Sequence, residues 1–262
     1  MGKPLFSCIM PTKNRAKIIG SVIESIINQS EQDWELIIVD DHSTDNTWEV
    51  VKAFIAVDSR IKYFVLKNGT GPAAARNLAV KKANGEILVI CDSDDINLHD
   101  RLEITKRAFQ DGADIVYGKI VAINIINGKK GSTFLHEYSP ELLKKINIIP
   151  APTAAFKKVV FRKVGGYDEN LLTSEDYDLW LKFMERGYSF KKVNDYLVIR
   201  QTHESNISKV RSFTKRKQDL NYVRRKHKLP TPSLEETLAL ITNKKNRAPY
   251  QNEGPIKFWF TR

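Results

Sequence analysis

Short apolar segments alternate with amphipathic segments over the first 120 residues of the chain. The apolar segments predict strands at residues 6–10, 36–39, 63–66, 87–90 and 115–121. The amphipathic segments predict helices at residues 18–28, 47–56, 73–83 and 101–110. Regular alternation of strands and helices predicts an α/β fold in which helices cover both faces of a parallel sheet.

Polar sequences follow the first, second and fourth predicted strands. They are PTKNR at residues 11–15, DDHSTD at residues 40–45 and DSDD at residues 92–95. Parallel strands bind ligands in the crevice beyond their carboxyl ends, so the three sequences are predicted to form one site. Within the second sequence we assign Asp41 to the site and Asp45 to capping the helix that begins near Thr47.

The acidic cluster Asp92, Asp94 and Asp95 comes directly after a buried strand. Mutual repulsion makes such a cluster costly unless a cation binds there. Oxygen ligands without neighbouring Cys or paired His favour Mg²⁺ or Mn²⁺, and the bound partner expected with either ion is a diphosphate. The alternative is an acidic turn, or a helix N-cap at Asp95, because residues 97–110 have helical spacing.

Composition indicates one large globular domain, or one domain plus an extension. The chain has 262 residues, 42% of them hydrophobic, and a net charge of +11. It contains no apolar run long enough to span a bilayer and no signal-peptide pattern before the first strand, so we expect a soluble cytoplasmic protein. Cys8 and Cys91 fall in strand-like runs and are interpreted as packed free thiols.

The pattern changes after residue 121. Residues 127–131 predict a hairpin turn, and Pro150 and Pro152 exclude a helix within residues 148–156. Two glycines at 165 and 166 predict the end of a helix. In the next helix Glu175 and Asp176 lie in the first turn, where acids also complement the helix dipole without any role in a site.

Six of these segments resemble, in order and spacing, the GT-A glycosyltransferases of family 2. The likeness covers roughly residues 5–208 and rests on PTKNR (11–15), IIVDDHSTD (37–45), GPAAARN (71–77), CDSDD (91–95), GGYD (165–168) and EDYDLW (175–180). It implies a GT-A fold with a Rossmann-like, mixed, mostly parallel sheet. It also implies an inverting transferase that uses Mn²⁺ or Mg²⁺ and moves a sugar from a nucleoside diphosphate donor, a UDP-sugar above others, to a glycan or lipid-linked acceptor.

The resemblance also implies roles for residues of the donor pocket. Asp41 matches the aspartate that reads the nucleobase, and Pro11 and Thr12 would line the nucleoside pocket. Asn14 and Arg15 belong to the same nucleotide-sugar-binding motif.

Further roles concern charge and proton transfer. Arg76 matches an arginine near the donor, where it would hold a phosphate or brace the acidic cluster; the alternative is a solvated helix residue. Asp94 and Asp95 match the metal motif, with Asp94 also contacting the nucleotide sugar and Asp95 the direct ligand. Asp176 matches the catalytic base. His203 is a further candidate metal ligand, against the alternative of a structural histidine.

The basic C-terminal sequence has its own interpretation. We divide the chain into a catalytic domain at residues 1–208 and a basic, helical C-terminal extension at residues 209–262. The extension mixes Lys/Arg clusters with aromatic residues, a composition suited to peripheral contact with the inner face of an anionic membrane. The alternative is a helical pair that packs its apolar side on the catalytic domain.

Two other classes of protein share part of this pattern. A nucleic-acid-binding protein would explain the basic clusters and leaves the acids of the crevice unexplained. A sugar nucleotidyltransferase would share the sheet and the metal aspartates, but the chain lacks a Gly-rich phosphate loop after the first strand.

Overall fold

The computed structural model describes residues 2–124, 130–133, 135–202, 213–230, 233, 235 and 247–248. The strands are β1 (Phe6–Thr12), β2 (Trp34–Asp40), β3 (Ile61–Val65), β4 (Ile87–Ile90), β5 (Asp95–Asn97), β6 (Ile115–Asn124), β7 (Lys130–Thr133), β8 (Ala155–Lys157), β9 (Phe190–Thr202) and β10 (Arg247–Ala248). The helices are α1 (Ile19–Ile27), α2 (Thr47–Ile55), α3 (Pro72–Lys82), α4 (Arg101–Gln110), α5 (Pro140–Lys145), α6 (Lys158–Lys163), α7 (Glu175–Glu185) and α8 (Phe213–Lys226).

The strands form one mixed sheet with a parallel centre. Its order is β10-β7-β6-β8-β4-β1-β2-β3, with β9 paired to β5 and β6. Strands β4, β1, β2 and β3 run parallel, whereas β8 lies antiparallel between β4 and β6. Strand β6 therefore runs parallel to β4 without touching it. The predicted mixed α/β sheet is confirmed.

Alternate side chains of the central strands feed two hydrophobic cores. In β2, which is buried at every position, Ile37 and Val39 join one core while Leu36 and Ile38 join the other. Helices α3 and α7 cover the first core, and α1, α2 and α4 cover the second. Period-two burial on both faces is what a strand sandwiched between helix layers requires, so the predicted coverage of both faces is confirmed.

One expectation about the acidic cluster is wrong. Asp95 does not cap a helix, because residues 95–97 form β5 and pair antiparallel with β9, Asp95 opposite Arg200. Helix α4 begins only at Arg101, after Asp100. The helix thus occupies residues 101–110 as predicted, and pairing with a strand far along the chain decides the conformation of residues 95–97.

The two prolines exclude an α-helix but permit one short turn. A 3₁₀ turn forms at Ala151–Thr153, beginning directly after Pro150. Proline suits the first positions of such a turn because the backbone N–H it lacks would have no partner there. The expectation that these prolines allow no helix of any kind is therefore wrong for these three residues.

Glycines end α6 as the sequence predicts. Gly165 and Gly166 both have positive φ, at 82° and 73°, and their N–H groups bond the carbonyls of Arg162 and Phe161. The predicted hairpin is flanked by β6 and β7, which pair antiparallel with Ile123 opposite Lys130. Of residues 127–131, which are predicted to form its turn, 127–129 lie outside the described residues, and 130 and 131 belong to β7.

Helix α8 packs on the catalytic core instead of projecting into solvent. Leu220 and Val223 are buried in the same core as α7. For residues 213–226 this supports the alternative in which the extension packs on the catalytic domain. Membrane contact stays a prediction. The aromatic residues 258–260 lie outside the described ranges. Among the described residues, no helix is long and apolar enough to cross a bilayer.

Candidate active site

The polar sequences after β1, β2 and β4 meet in one crevice. Thr12 lies opposite Asp40 in the register of β1 and β2, and the N–H of Asp41 bonds the carbonyl of Thr12 at 2.9 Å. The N–H of Cys91, just past the end of β4, bonds the carbonyl of Ile9 at 3.0 Å. The strand register therefore places the three sequences next to one another at the same edge of the sheet, as the parallel sheet predicted.

Asp40 and Asp41 are neighbours with different surroundings. Asp40 accepts hydrogen bonds from the hydroxyl of Tyr63 and the N–H of Ser43, so it fixes the turn that follows β2. Asp41 is 8% exposed; its side chain accepts from Lys13 Nζ at 3.3 Å and from the N–H of Gly71 at 3.5 Å. Asp41 is the more exposed of the pair and contacts the loops after β1 and before α3, and Lys13 is a neighbour that sequence reasoning did not single out.

Pro11 and Thr12 are the last residues of β1. Pro11 lies opposite Val39 in β2. Thr12 is 3% exposed, and its Oγ1 has no hydrogen-bond partner within the part of the chain that the structure describes. A buried hydroxyl left free in this way is a group that a ligand or water can satisfy.

Asn14 joins the first two loops. Its backbone has φ = 53°, its N–H bonds Ser43 Oγ at 2.8 Å, and its Oδ1 accepts from the N–H of Thr44 at 2.8 Å. The contacts described for Asn14 thus hold the loops together. Asp45 accepts from the N–H of Thr47 at 3.1 Å, a bond in the turn just before α2. The N-cap residue of α2 is Asn46, which makes no side-chain cap bond, so the capping role predicted for Asp45 is wrong.

Arg15 reaches across to the acidic cluster. Its Nη2 lies 3.3 Å from Asp94 Oδ2, and its backbone N–H is held by Thr47 Oγ1 at 2.9 Å. The structure therefore brings together a residue predicted to bind the nucleotide sugar and one predicted to bind metal.

Arg76 is a buried bridge. Its Nη1 lies 2.6 Å from Glu175 Oε1 and its Nη2 lies 2.8 Å from Asp92 Oδ1, while the whole residue is 6% exposed. Burial opposes its charge, but the two carboxylates outweigh burial and raise the pKa of Arg76. The solvated alternative is wrong; Arg76 braces the acidic cluster against the start of α7.

The side chain of Asp95 sits in an environment that disfavours its charge. It is 4% exposed, and burial raises the pKa of its carboxyl well above the usual range. The negative charges of Asp92 and Asp94 raise that pKa further, although Arg200 acts in the opposite sense. A hard divalent cation would reverse this balance, so the oxygen-only donor set fits Mg²⁺ or Mn²⁺.

The metal prediction extends beyond the described residues at one point. Within the described ranges, no three His, Cys, Asp or Glu side chains come together in a ready-made metal cluster. His203 lies outside those ranges and follows Thr202, the last residue of β9. Asp94, Asp95 and His203 therefore remain predicted ligands.

Asp176 is the carboxylate on α7 predicted to act as base. It is half-buried; Asn147 Nδ2 donates to its Oδ2 at 3.1 Å, and the N–H of Tyr177 donates to its Oδ1 at 2.8 Å. Burial raises the pKa of Asp176, although both donors and Arg76 oppose that rise. A carboxylate with a raised pKa, still in reach of solvent, is suited to accepting a proton.

Sequence reasoning did not predict the contacts of two residues near the base, Glu175 and Asn147. Glu175 was seen as a first-turn acid, but its ion pair with Arg76 joins residues 99 positions apart. Asn147 carried no motif signal, because its role depends only on the approach of the segment after α5 to α7.

The chain belongs to glycosyl transferase family 2, whose family model matches residues 7–165. It is 30% identical over 213 residues to a putative teichuronic acid biosynthesis glycosyltransferase, TuaG, of Bacillus subtilis, covering 79% of this chain and 82% of TuaG. It is 33% identical over 184 residues to the Escherichia coli UDP-Glc:alpha-D-GlcNAc-diphosphoundecaprenol beta-1,3-glucosyltransferase WfgD, covering 69% of this chain and 70% of WfgD. Some relatives are longer: the chain spans 26% of an uncharacterized glycosyltransferase of Rickettsia bellii, at 31% identity over 69% of the chain.

Solved structures share the fold. The S. aureus TarS 1–349 structure in complex with UDP-GlcNAc has a TM-score of 0.67 and 22% identity, covering 91% of this chain and 71% of that one. The mannosyltransferase PcManGT of Pyrobaculum calidifontis, solved with GDP-Man and Mn²⁺, has a TM-score of 0.67 and 20% identity, covering 92% and 69%. The GT-A fold and the transferase class are therefore confirmed.

Proposed function

We propose that this glycosyltransferase inverts the anomeric centre while moving a sugar from a UDP-sugar to a hydroxyl of a lipid-linked or glycan acceptor. The observation that carries the proposal is Asp176. This carboxylate belongs to a half-buried residue, burial raises its pKa, and Arg76 and Glu175 tie its helix to the acidic cluster. This connection supports the proposal that a base and a diphosphate-binding edge share one crevice.

The donor half of the site is proposed at the ends of β1 and β2. Asp41 would accept an N–H from the nucleobase, and Pro11 and Thr12 would line the nucleoside pocket. The side chain of Lys13 is 53% exposed and lies near Asp41. It would move toward the ligand when the ligand binds. A UDP-sugar is preferred because the names of WfgD and of the TarS complex both specify a uridine donor.

Asp94, Asp95 and His203 are the residues proposed to hold Mn²⁺ or Mg²⁺. When bound, the ion supplies Lewis-acid stabilisation of the charge that grows on the leaving diphosphate. Arg15, paired with Asp94, and Arg76, paired with Asp92, supply fixed positive charge on either side of the same edge. Both arginines orient the acidic cluster before a ligand arrives.

Asp176 would act on the acceptor. Its carboxylate takes the proton of the acceptor hydroxyl as that oxygen attacks the anomeric carbon, and the bond to the diphosphate oxygen breaks on the opposite face. One proton moves to Asp176 and the electron pair leaves with the nucleoside diphosphate. The bond from Asn147 keeps one carboxylate oxygen turned in a fixed direction while the reaction proceeds.

Calorimetric titration of the protein with UDP, GDP, CDP and dTDP, with and without Mn²⁺, tests the donor half. We expect selective binding of UDP that strengthens when Mn²⁺ is present. Preference for GDP would replace the proposed donor, and absence of binding for all four nucleotides would overturn the proposed site. Release of UDP from UDP-glucose and UDP-GlcNAc in the presence of a diphosphoundecaprenol-linked sugar then tests the acceptor class.

A further inference from the structure

Helix α8 contacts both chain segments that lead to the proposed base. Its Asp219, 3% exposed, accepts from the N–H of Thr173 at 3.0 Å and from Thr173 Oγ1 at 2.9 Å. Thr173 precedes Ser174, which has φ = 63° and leads directly into α7. The carboxylate of Asp219 on α8 thus holds the segment that leads into Glu175 and Asp176, the first two residues of α7.

Arg224 of α8 holds the second segment. It is 4% exposed, and its Nη1 donates to the carbonyls of Lys144 and Lys145 at 3.3 Å each, while its Nε donates to the carbonyl of Pro230 at 2.6 Å. The last carbonyls of a helix have no partner within the helix, and Lys145 ends α5. Arg224 therefore caps α5 with a buried cation, as a charge at a helix C-terminus should.

The capped end of α5 leads within two residues to the base. Asn147 follows the last residue of α5 by two positions and donates to Asp176 Oδ2. Tyr177, adjacent to Asp176, donates its hydroxyl to the carbonyl of Leu143 at 2.8 Å and to that of Lys144 at 3.3 Å. Arg224 and Tyr177 thus share one carbonyl of α5, and the contact continues to the proposed base.

We infer that α8 is a positioning element of the active site, with Arg224 holding the end of α5 so that Asn147 meets Asp176. The inference rests on the proposed function, because it gives Arg224 a role only if Asp176 is the base. Arg224 is a positioning residue, since it holds the end of α5 and would act on Asp176 only through Asn147. Its buried fork reaches three carbonyls, which a flexible surface arginine would not do.

Arg224→Gln removes the charged fork, and Arg225→Gln on the exposed side of the same helix is the matched control. With UDP-sugar and acceptor, we expect Arg224→Gln to lower kcat about 10-fold while the KM for the donor changes little, because misplacing a reacting group slows the chemical step. Arg225→Gln should match the wild type. A loss of UDP affinity in proportion to the loss of kcat would mean a general structural role and would overturn the inference.

A double-mutant cycle separates positioning from stability. If Arg224 acts through Asn147, the variant carrying Arg224→Gln and Asn147→Ala should have the kcat of Asn147→Ala alone. Multiplied losses would show independent roles and would overturn the inference. Arg224→Lys takes the place of Arg224→Gln in the cycle if the glutamine variant does not fold, because a lysine retains the charge without the fork.

The wild type distinguishes failure of the inference from failure of the proposed function. Wild-type protein that binds none of the four nucleotides and releases no UDP would remove both. Wild-type turnover with an unaffected Arg224→Gln variant would remove only the role of α8.

Discussion

The two ends of the sheet hold buried or half-buried carboxylates whose pKa values shift in opposite directions. At the amino ends of the strands, Glu35 is surrounded by donors and kept charged. At the carboxyl ends, Asp95, Glu175 and Asp176 all have raised pKa values because burial and neighbouring negative charge disfavour ionisation. The first arrangement stabilises the fold, whereas the second retains an unfavourable charge balance that a cation or a proton can relieve.

Glu35 shows what a satisfied buried carboxylate requires. It is 3% exposed and accepts from Ser7 Oγ and from Lys62 Nζ at 2.7 Å each, and from the N–H of Gly85 at 3.2 Å. Burial by itself would raise its pKa, but these donors, with the N–H of Asn84, lower the pKa of Glu35 to about 2. A Cβ at Gly85 would lie 2.7 Å from the backbone of Phe6 and Ser7, so only glycine allows this close approach.

Glu175 makes the contrast sharper because it too has a cationic partner. Its ion pair with Arg76 at 2.6 Å does not restore an ordinary pKa, because burial is the largest influence and Asp176 adds like charge. Arg76 divides its charge between Glu175 and Asp92. One arginine shared between two carboxylates does not lower the pKa of Glu175 below its usual value. One lysine and several N–H groups around the single carboxylate of Glu35 do lower its pKa.

The largest expected effect is at the functional end. Asp176→Asn removes the proposed base without changing its size, so transfer should fall by about 10²- to 10⁴-fold. Nucleotide binding should persist, because Asp176 is not part of the proposed donor pocket. Calorimetry with UDP and measurement of UDP release distinguish the two steps, and the exposed Asp195→Asn is the control. Normal turnover of Asp176→Asn would mean that another group is the base.

The next effect belongs to the structural end. Glu35→Gln should lower the free energy of unfolding at neutral pH by about 3 kcal/mol, the amount that corresponds to lowering the pKa of Glu35 from 4.5 to about 2. This stability is present above the unfolded pKa and is lost as pH falls from about 4.5 toward 2. Urea unfolding at pH 7 and at pH 3 measures it, with the exposed Glu49→Gln as control. An equal loss at both pH values would contradict the charge-based explanation.

The smallest expected effect on stability is at Asp95, where removing the charge should not destabilise the fold. Asp95→Asn should leave the unfolding midpoint unchanged or higher, because the raised pKa of Asp95 means that its charge is unfavourable in the fold. The same change should weaken Mn²⁺-dependent UDP binding by at least about 10-fold. Thermal unfolding and calorimetry check the pair of outcomes against Asp111→Asn, an exposed acid. If Asp95→Asn were destabilised and kept its Mn²⁺ dependence, Asp95 would be a stabilising carboxylate like Glu35, and the contrast between the two ends would be wrong.

Local pattern was enough for the strands and helices of the first 120 residues and for gathering three polar sequences at one edge. It did not predict strand β5 at residues 95–97, because that strand depends on pairing with β9. Local pattern also could not decide between the two interpretations of Arg76. An arginine on a helix gives the same sequence pattern whether it is solvated or buried between two carboxylates. That distinction depends on α7, 99 residues away from Arg76 at its Glu175 contact.

The sequence by itself determined the family, the sheet and the group of acids, because strand period and motif order are properties of neighbouring residues. Tertiary structure alone decided that Glu35 is stabilised while Asp95 and Asp176 are not, since a pKa depends on every donor and charge within a few ångströms. It alone joined Arg224 to Asn147 and Asp176, because residues distant in the chain meet only when their helices pack.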